Sequence, residues 1–342
     1  MSWLADGLRL RVLIDSGLGS LESAATDARD AERDGYDGAF TGEVNSDPFL
    51  PLTLAAASTE HIDLGTSIAV AFARSPMALA YTAYDLHRFS RGRLVLGLGS
   101  QIKPHITRRF SMPWGRPAAQ MREFVLAMHA AWSSWSTGEP LDFQGEHYRL
   151  TLMPPMFVPA PHEYGTPRVL VAGVGDEMTK VAGEVADGFL CHGFTTQRWI
   201  RERTIPALVE GRRRVGQSLE GFTVKAAIFL ATGTDEQISV GIRRIRSQLA
   251  FYASTPAYKP ILDLHGWGDV GSELTMMSKA GRWSEMDRLI DDEMLETFAL
   301  VGPIREIPER LAERCSGTVD RVSFIGGEAP PELLATLLSS QR

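Results

Sequence analysis

Short apolar runs alternate with stretches of helical period along most of the chain. Leu8–Asp15 reads as a strand, and Ser20–Gly35 as a helix with Ser20 as its N-cap and Gly35 as its stop. Tyr36–Glu43 is the next strand, followed by a helix opening near Pro48; Ile62–Val70 is a third strand. Ser75 and Pro76 supply an N-cap and a first-turn proline for a helix reaching Phe89, and Arg93–Gly99 is a fourth strand. A long helix follows, in which Ala118, Met121, Val125, Met128, Trp132 and Trp135 recur at spacings of three and four as one apolar stripe. Leu141–Leu150 reads as a small hairpin turning at Gln144-Gly145, and Met153–Pro167 as proline-rich loop.

The alternation then resumes with strands at Arg168–Gly173, Asp187–His192 and Phe222–Ala231, and helices at Asp176–Ala186, Gln197–Val215 and Asp235–Tyr252. A long insertion runs to about Glu296; the chain closes with helix Arg305–Cys315, strand Asp320–Gly326 and a helix from Pro330. Strands this apolar are covered on both faces, as a parallel sheet requires. Eight strand–helix units in 342 residues predict a (β/α)8 TIM barrel with insertions after strands 4 and 7. The chain is expected to be one domain over residues 1–342, with inserted segments at about 100–117, 138–167 and 254–296. An open doubly wound sheet is the second reading, disfavoured by short strands and by the lack of an early dinucleotide fingerprint.

A net charge of −7 disfavours a general nucleic-acid or anionic-membrane partner. The local basic runs at Arg108-Arg109 and Arg212–Arg214 read as solvated faces. The two cysteines, Cys191 and Cys315, fit no zinc or redox spacing, which suits a reduced cytoplasmic setting. The first residues carry no basic segment followed by a long apolar one, and no run approaches the roughly 18–20 residues that span a bilayer. A soluble, cytoplasmic protein is the expectation.

In a barrel of this class ligands sit at the C-terminal strand ends. Those ends carry Asp15, Glu43, Thr66-Ser67, Ser100-Gln101, Gly173-Val174-Gly175 and Cys191-His192. Gly173 and Gly175 would let backbone N–H groups approach a phosphate at the start of the next helix, although the pair falls short of a dinucleotide fingerprint or a P-loop. The histidines show no metal-ligand spacing, so no metal is expected; His129 reads as packing, while His105 and His192 lie at or beyond strand ends. No serine nucleophile elbow is present either. Chemistry without a protein nucleophile or metal points to an organic cofactor.

Three stretches, "LGTSIAVAFARSP", "GRLVLGLGSQ…HITRRFSMPW" and "AGVGDEMTKVAGEVADGF", together resemble the bacterial luciferase-like superfamily, and within it the coenzyme F420-dependent oxidoreductases of actinobacteria. The likeness extends to "FYASTPAYKPILDLHGWGD" and "LIDDEMLETFALVGP". It implies a homodimeric barrel holding a deazaflavin or flavin at the strand ends. It further implies a non-proline cis peptide at Ser67-Ile68 propping the ring, ring contacts from Ser100 and Gln101, and a phosphate turn at Ala172, Gly173, Val174 and Gly175. Asp15 and Cys191 complete the implied cofactor set, and Glu43, His105 and His192 are the candidate proton-transfer groups. Ile102 stands where the sugar-phosphate dehydrogenase branch keeps an acid, which argues against glucose 6-phosphate. The expected reaction is hydride transfer between F420 and a small carbonyl, enone, imine or alcohol. An FMN-dependent monooxygenase is the alternative, and a non-catalytic flavin-binding protein the third reading.

Overall fold

The structure is a computed structural model that describes residues 12–326 and 329–340. The expected first strand opens at Leu8, so its residues 8–11 lie outside the described ones. The rest forms β1 (Leu13–Gly17), followed by β2 (Gly38–Thr41), β3 (Asp63–Thr66), β4 (Leu94–Gly99), β5 (Arg168–Gly173), β6 (Gly188–Cys191), β7 (Thr223–Ala231) and β8 (Arg321–Ile325). These are the strands of a (β/α)8 barrel. They follow one another in chain order, without the reversal that an open doubly wound sheet requires. Inserted segments follow β4 and β7, as the pattern predicts.

The described residues fall into two compact units. One spans Ser16–Leu190 with Ala207–Thr223; the other holds the segment up to Asp15, Cys191–Pro206 and Val224 onward. In the first unit β2 runs parallel to β3, β3 to β4 and β4 to β5. Phe40, Val95, Leu170 and Leu190 pack together as a buried cluster, with Ile68 and Ala172 against it. The long helix Pro117–Thr137 buries Met121, Val125, Met128, Trp132 and Trp135, the stripe read from the sequence; Trp132 donates to the Ala80 carbonyl at 3.1 Å. The hairpin pairs Phe143-Gln144 with Arg149-Leu150. Ser75 caps helix Pro76–Phe89 by accepting from the Ala78 N–H.

Two local expectations are corrected. The first helix begins at Ala24 rather than after Ser20, because Asp27 accepts from both the Gly19 N–H and the Ser23 hydroxyl and stabilises a turn there. The expected strand Ile62–Val70 is two pieces, Asp63–Thr66 and Ala69-Val70, the second pairing with the end of β4.

In the second unit β1 lies beside β8 and β8 beside β7. A short strand, Ala299–Val301, joins β7 on its other side; it lies just past the expected end of the insertion. The insertion after β7 is helical, with elements at Lys259–Leu264, Gly268–Lys279 and Asp292–Phe298, and it follows the helix Asp235–Ala253. Thr234 and Gln237 form a capping box at its start. Among the described residues no helix is long and apolar enough to cross a membrane.

Candidate active site

In the first unit, the carboxylate of Glu43 just beyond β2 accepts from the Val70 N–H at 2.8 Å and from Arg74 Nη1 at 2.5 Å. Arg74 Nη2 reaches Asp47 at 2.9 Å, and the guanidinium lies 5.4 Å from the Phe49 ring centroid. The Glu43 N–H in turn donates to the Ile68 carbonyl at 2.9 Å. Side-chain exposure is 7% for Glu43 and 19% for Arg74, so the pair is largely desolvated. The Glu43 Oε2 thereby fastens the 67–74 segment onto β2.

The fastened segment contains the Ser67-Ile68 peptide, which is cis, at the position the resemblance implied. Ser67 donates its N–H to the Thr41 carbonyl at 2.8 Å, so the segment is held from both sides of the peptide. The Ile68 side chain lies over Gly99, where a Cβ would meet its Cδ1 and Cγ1 at 2.9 Å. Glycine at the end of β4 therefore lets an apolar ledge form between the ends of β3 and β4.

Ser100 and Gln101 follow directly. Ser100 donates to the Gln101 carbonyl at 3.0 Å; Gln101 adopts φ 59°, and its own side chain accepts from the Ile102 N–H at 3.0 Å. His105 opens a π-helical turn, His105–Arg109, and Arg109 donates to the Val44 carbonyl at 2.8 Å. The residue at position 102 is an isoleucine, 57% exposed, and not an acid. Residues 100–117 carry Lys103, Arg108, Arg109 and Arg116 and no carboxylate.

At the end of β5 the two glycines separate in role. A Cβ on Gly173 would lie 2.8 Å from Met178 Cγ and 3.3 Å from Phe189, so this glycine serves strand–helix packing. A Cβ on Gly175 would meet nothing within 4 Å, which leaves the N-terminus of helix Asp176–Val185 approachable. Asp176 and Glu177 already place carboxylates in that first turn, and Lys180 pairs with Glu177 at 3.2 Å.

The second unit holds Asp15, Cys191 and His192. Asp15 is fully buried: its carboxylate takes the Lys225 ammonium and, at 2.7 Å, the Arg321 guanidinium. Both Asp15 oxygens serve this internal ion cluster. Burial lowers the Lys225 pKa, with Asp15 opposing that shift. Cys191 is buried, and burial pushes its thiol up to about 12. His192 accepts the Phe194 N–H on Nδ1 at 3.0 Å, and its Nε2 lies 3.1 Å from the Tyr258 hydroxyl. The two rings stack at 4.8 Å, with Tyr252 edge-on to His192 at 4.9 Å. Burial pushes the His192 pKa down to about 4, and burial with the neighbouring Tyr252 pushes Tyr258 up to about 12.

Arg74 and Tyr258 were missed by sequence reasoning. A lone arginine in the apolar stretch "AVAFARSP" and a tyrosine in "STPAYKP" were the available signals. Also unexpected is a cluster of Glu123, Glu146 and His147, with ligand atoms within 4.8 Å of one another. Its carboxylates have protein partners: Glu123 accepts from the His147 and Tyr148 N–H groups, and Glu146 from Arg116 at 2.7 Å. The cluster pins the hairpin to the long helix.

A sequence model of the luciferase-like monooxygenase family matches residues 9–321. Over 334 residues the chain is 48% identical to an uncharacterized protein of Mycobacterium tuberculosis, covering 97% of this chain and 98% of that one. It is 29% identical over 213 residues to the F420-dependent glucose-6-phosphate dehydrogenase of Nocardia farcinica, covering 60% of this chain and 61% of that protein. In fold it is similar to the coenzyme F420-dependent tetrahydromethanopterin reductase of Methanopyrus kandleri, with a TM-score of 0.78, 20% identity and coverage of 97% and 98%.

Proposed function

The chain belongs to the luciferase-like monooxygenase family, and from that membership we propose that it is a coenzyme F420-dependent oxidoreductase acting on a small organic substrate. The observation that carries this reading is the apolar ledge of Ile68 on Gly99, continued by Ser100 and Gln101 and followed by a segment with four cations and no carboxylate. A flat ring system suits the ledge, and a polyanionic tail suits the cations of residues 100–117. The similarity to an F420-dependent dehydrogenase supports the same assignment.

On this reading Ile68, Ser100 and Gln101 hold the ring, while Gly175 with the approachable helix start after it receives part of the tail. Bound F420 would supply the two-electron hydride donor or acceptor. Glu43 and Arg74 hold the ledge rigid, which matters because hydride transfer depends on sub-ångström placement. Ile102 in place of an acid favours a substrate other than glucose 6-phosphate. Two buried, unpaired cysteines suit a reduced cytoplasm, and a homodimer is part of the same proposal.

A second reading, an FMN-dependent monooxygenase, is favoured by the family's own description. Titration with F420 and with FMN, each followed by fluorescence, separates the two. Micromolar binding of F420 supports the main reading, and binding of FMN alone overturns it.

A further inference from the structure

Helix Asp235–Ala253 buries Ile245, Leu249, Ala250 and Ala253 on one side. Its other side faces solvent, and there Arg243, Arg244, Ser247, Gln248 and Phe251 line a surface groove of about 500 Å³. Their spacing makes a single stripe on the helix. The volume falls within the range of small-molecule sites. Every one of these residues belongs to the second unit.

One end of the groove is aromatic. Phe251 is 52% exposed, and Trp283, on the helical turn packed against this helix, is 53% exposed. Their ring centroids are 6.1 Å apart at an interplanar angle of 38°, so neither ring covers the face of the other. Single exposed apolar side chains need no explanation, but two large rings side by side form a patch. Side chains of a helix lean toward its N-terminus, which carries the Phe251 ring back over the turn of Ser247 and Gln248. Gln248 Nε2 donates to the Tyr252 hydroxyl at 3.1 Å, which holds that amide in place.

The other end is cationic. Neighbouring acids already have partners: Asp292 pairs with Arg246, and Glu285 with Arg282 at 2.7 Å. The side chains of Arg243 and Arg244 have no ion pair or hydrogen bond among the described residues. In a chain of net charge −7, two adjacent unpaired guanidiniums are a local cationic spot. Exposed arginines are ordinary by themselves; these share a concave site with two exposed rings.

We propose that this groove binds a planar organic anion, an aromatic ring system carrying a carboxylate or sulfonate. The ring lies against Phe251 and Trp283. The acid group takes the Arg243 and Arg244 guanidiniums, whose planar forks match its oxygens. The proposal is independent of the cofactor assignment, because all four residues lie on one helix and the turn beside it.

The test uses the full chain without cofactor and two fluorescent probes: 8-anilinonaphthalene-1-sulfonate, and N-phenyl-1-naphthylamine, which has the same rings without the sulfonate. A ring bearing an acid could also enter the cofactor site, so the comparison is between wild type and variants. The double variant Arg243→Gln/Arg244→Gln should bind the sulfonate about three- to tenfold more weakly than wild type and the neutral probe equally well. Phe251→Ser should weaken both probes about three- to tenfold. All three substitutions are at exposed positions, and unchanged thermal midpoints verify the fold. Raising the salt concentration should weaken sulfonate binding to wild type and leave the neutral probe unaffected. Wild type that fails to bind the sulfonate, or binds it no more tightly than either variant does, overturns the proposal. Equal losses of both probes in the arginine variant overturn the preference for an anion.

Discussion

Arg74 and Glu43, 31 residues apart in sequence, meet at 2.5 Å in a largely desolvated ion pair that ties the segment after β3 to the end of β2. The Val70 N–H completes the grip on the same carboxylate oxygen. Replacing Arg74 by methionine leaves a buried carboxylate with one fewer partner. The expected loss is about 2–4 kcal/mol in urea denaturation, together with weaker cofactor binding because the Ile68 ledge loosens. A stability change within experimental error would show that the pair is dispensable.

Asp15 makes a stronger demand. Its side chain is fully buried between Lys225 and Arg321, each about as buried. Asp15→Asn retains the shape but removes the negative charge that Asp15 sets against two buried cations. Urea unfolding is expected to fall by about 3–5 kcal/mol. Cofactor affinity measured on the remaining folded protein should be little changed, because neither Asp15 oxygen is open to a ligand.

The two glycines of the β5 turn can be separated by one methyl group each. Gly173→Ala meets Met178 at 2.8 Å and should cost about 1–3 kcal/mol of stability. Gly175→Ala enters open space and should leave stability within about 0.5 kcal/mol. Isothermal titration with the cofactor should then register a loss of affinity for Gly175→Ala. Unchanged affinity there would remove the turn from the binding surface.

Much of this architecture was legible in the sequence, because strand and helix periods are local properties. The stripe on helix Pro117–Thr137 and the Ser75-Pro76 helix start are cases in which local chemistry alone decides the outcome. The cis Ser67-Ile68 peptide was reached only through resemblance. What stayed hidden depends on distant partners. Glu43 and Asp15 read as strand-end acids available for ligands, and only the fold reveals Arg74, Lys225 and Arg321 against them. Tyr258 is 66 residues from His192, so no spacing rule could pair them.

Stability should fall on acidification through the buried histidines. Burial holds the pKa values of His87, His129, His162 and His192 below the ordinary value, His192 at about 4. An unfolded histidine takes up its proton near pH 6.5. Below that pH the unfolded chain binds protons that the folded chain refuses, so stability is complete above about pH 6.5 and declines toward the folded values. His192 alone contributes a loss on the order of 3 kcal/mol by pH 4. Thermal midpoints from pH 8 to pH 4 should fall mainly below about pH 6.5; a flat profile across that window would contradict the burial of these neutral rings.

Cofactor preference tests the central claim most directly. F420 and FMN should be titrated into the purified chain side by side, following deazaflavin and flavin fluorescence. F420 is expected to bind at micromolar concentration or tighter, with FMN at least tenfold weaker. Saturable FMN binding with no response to F420 would contradict the assignment.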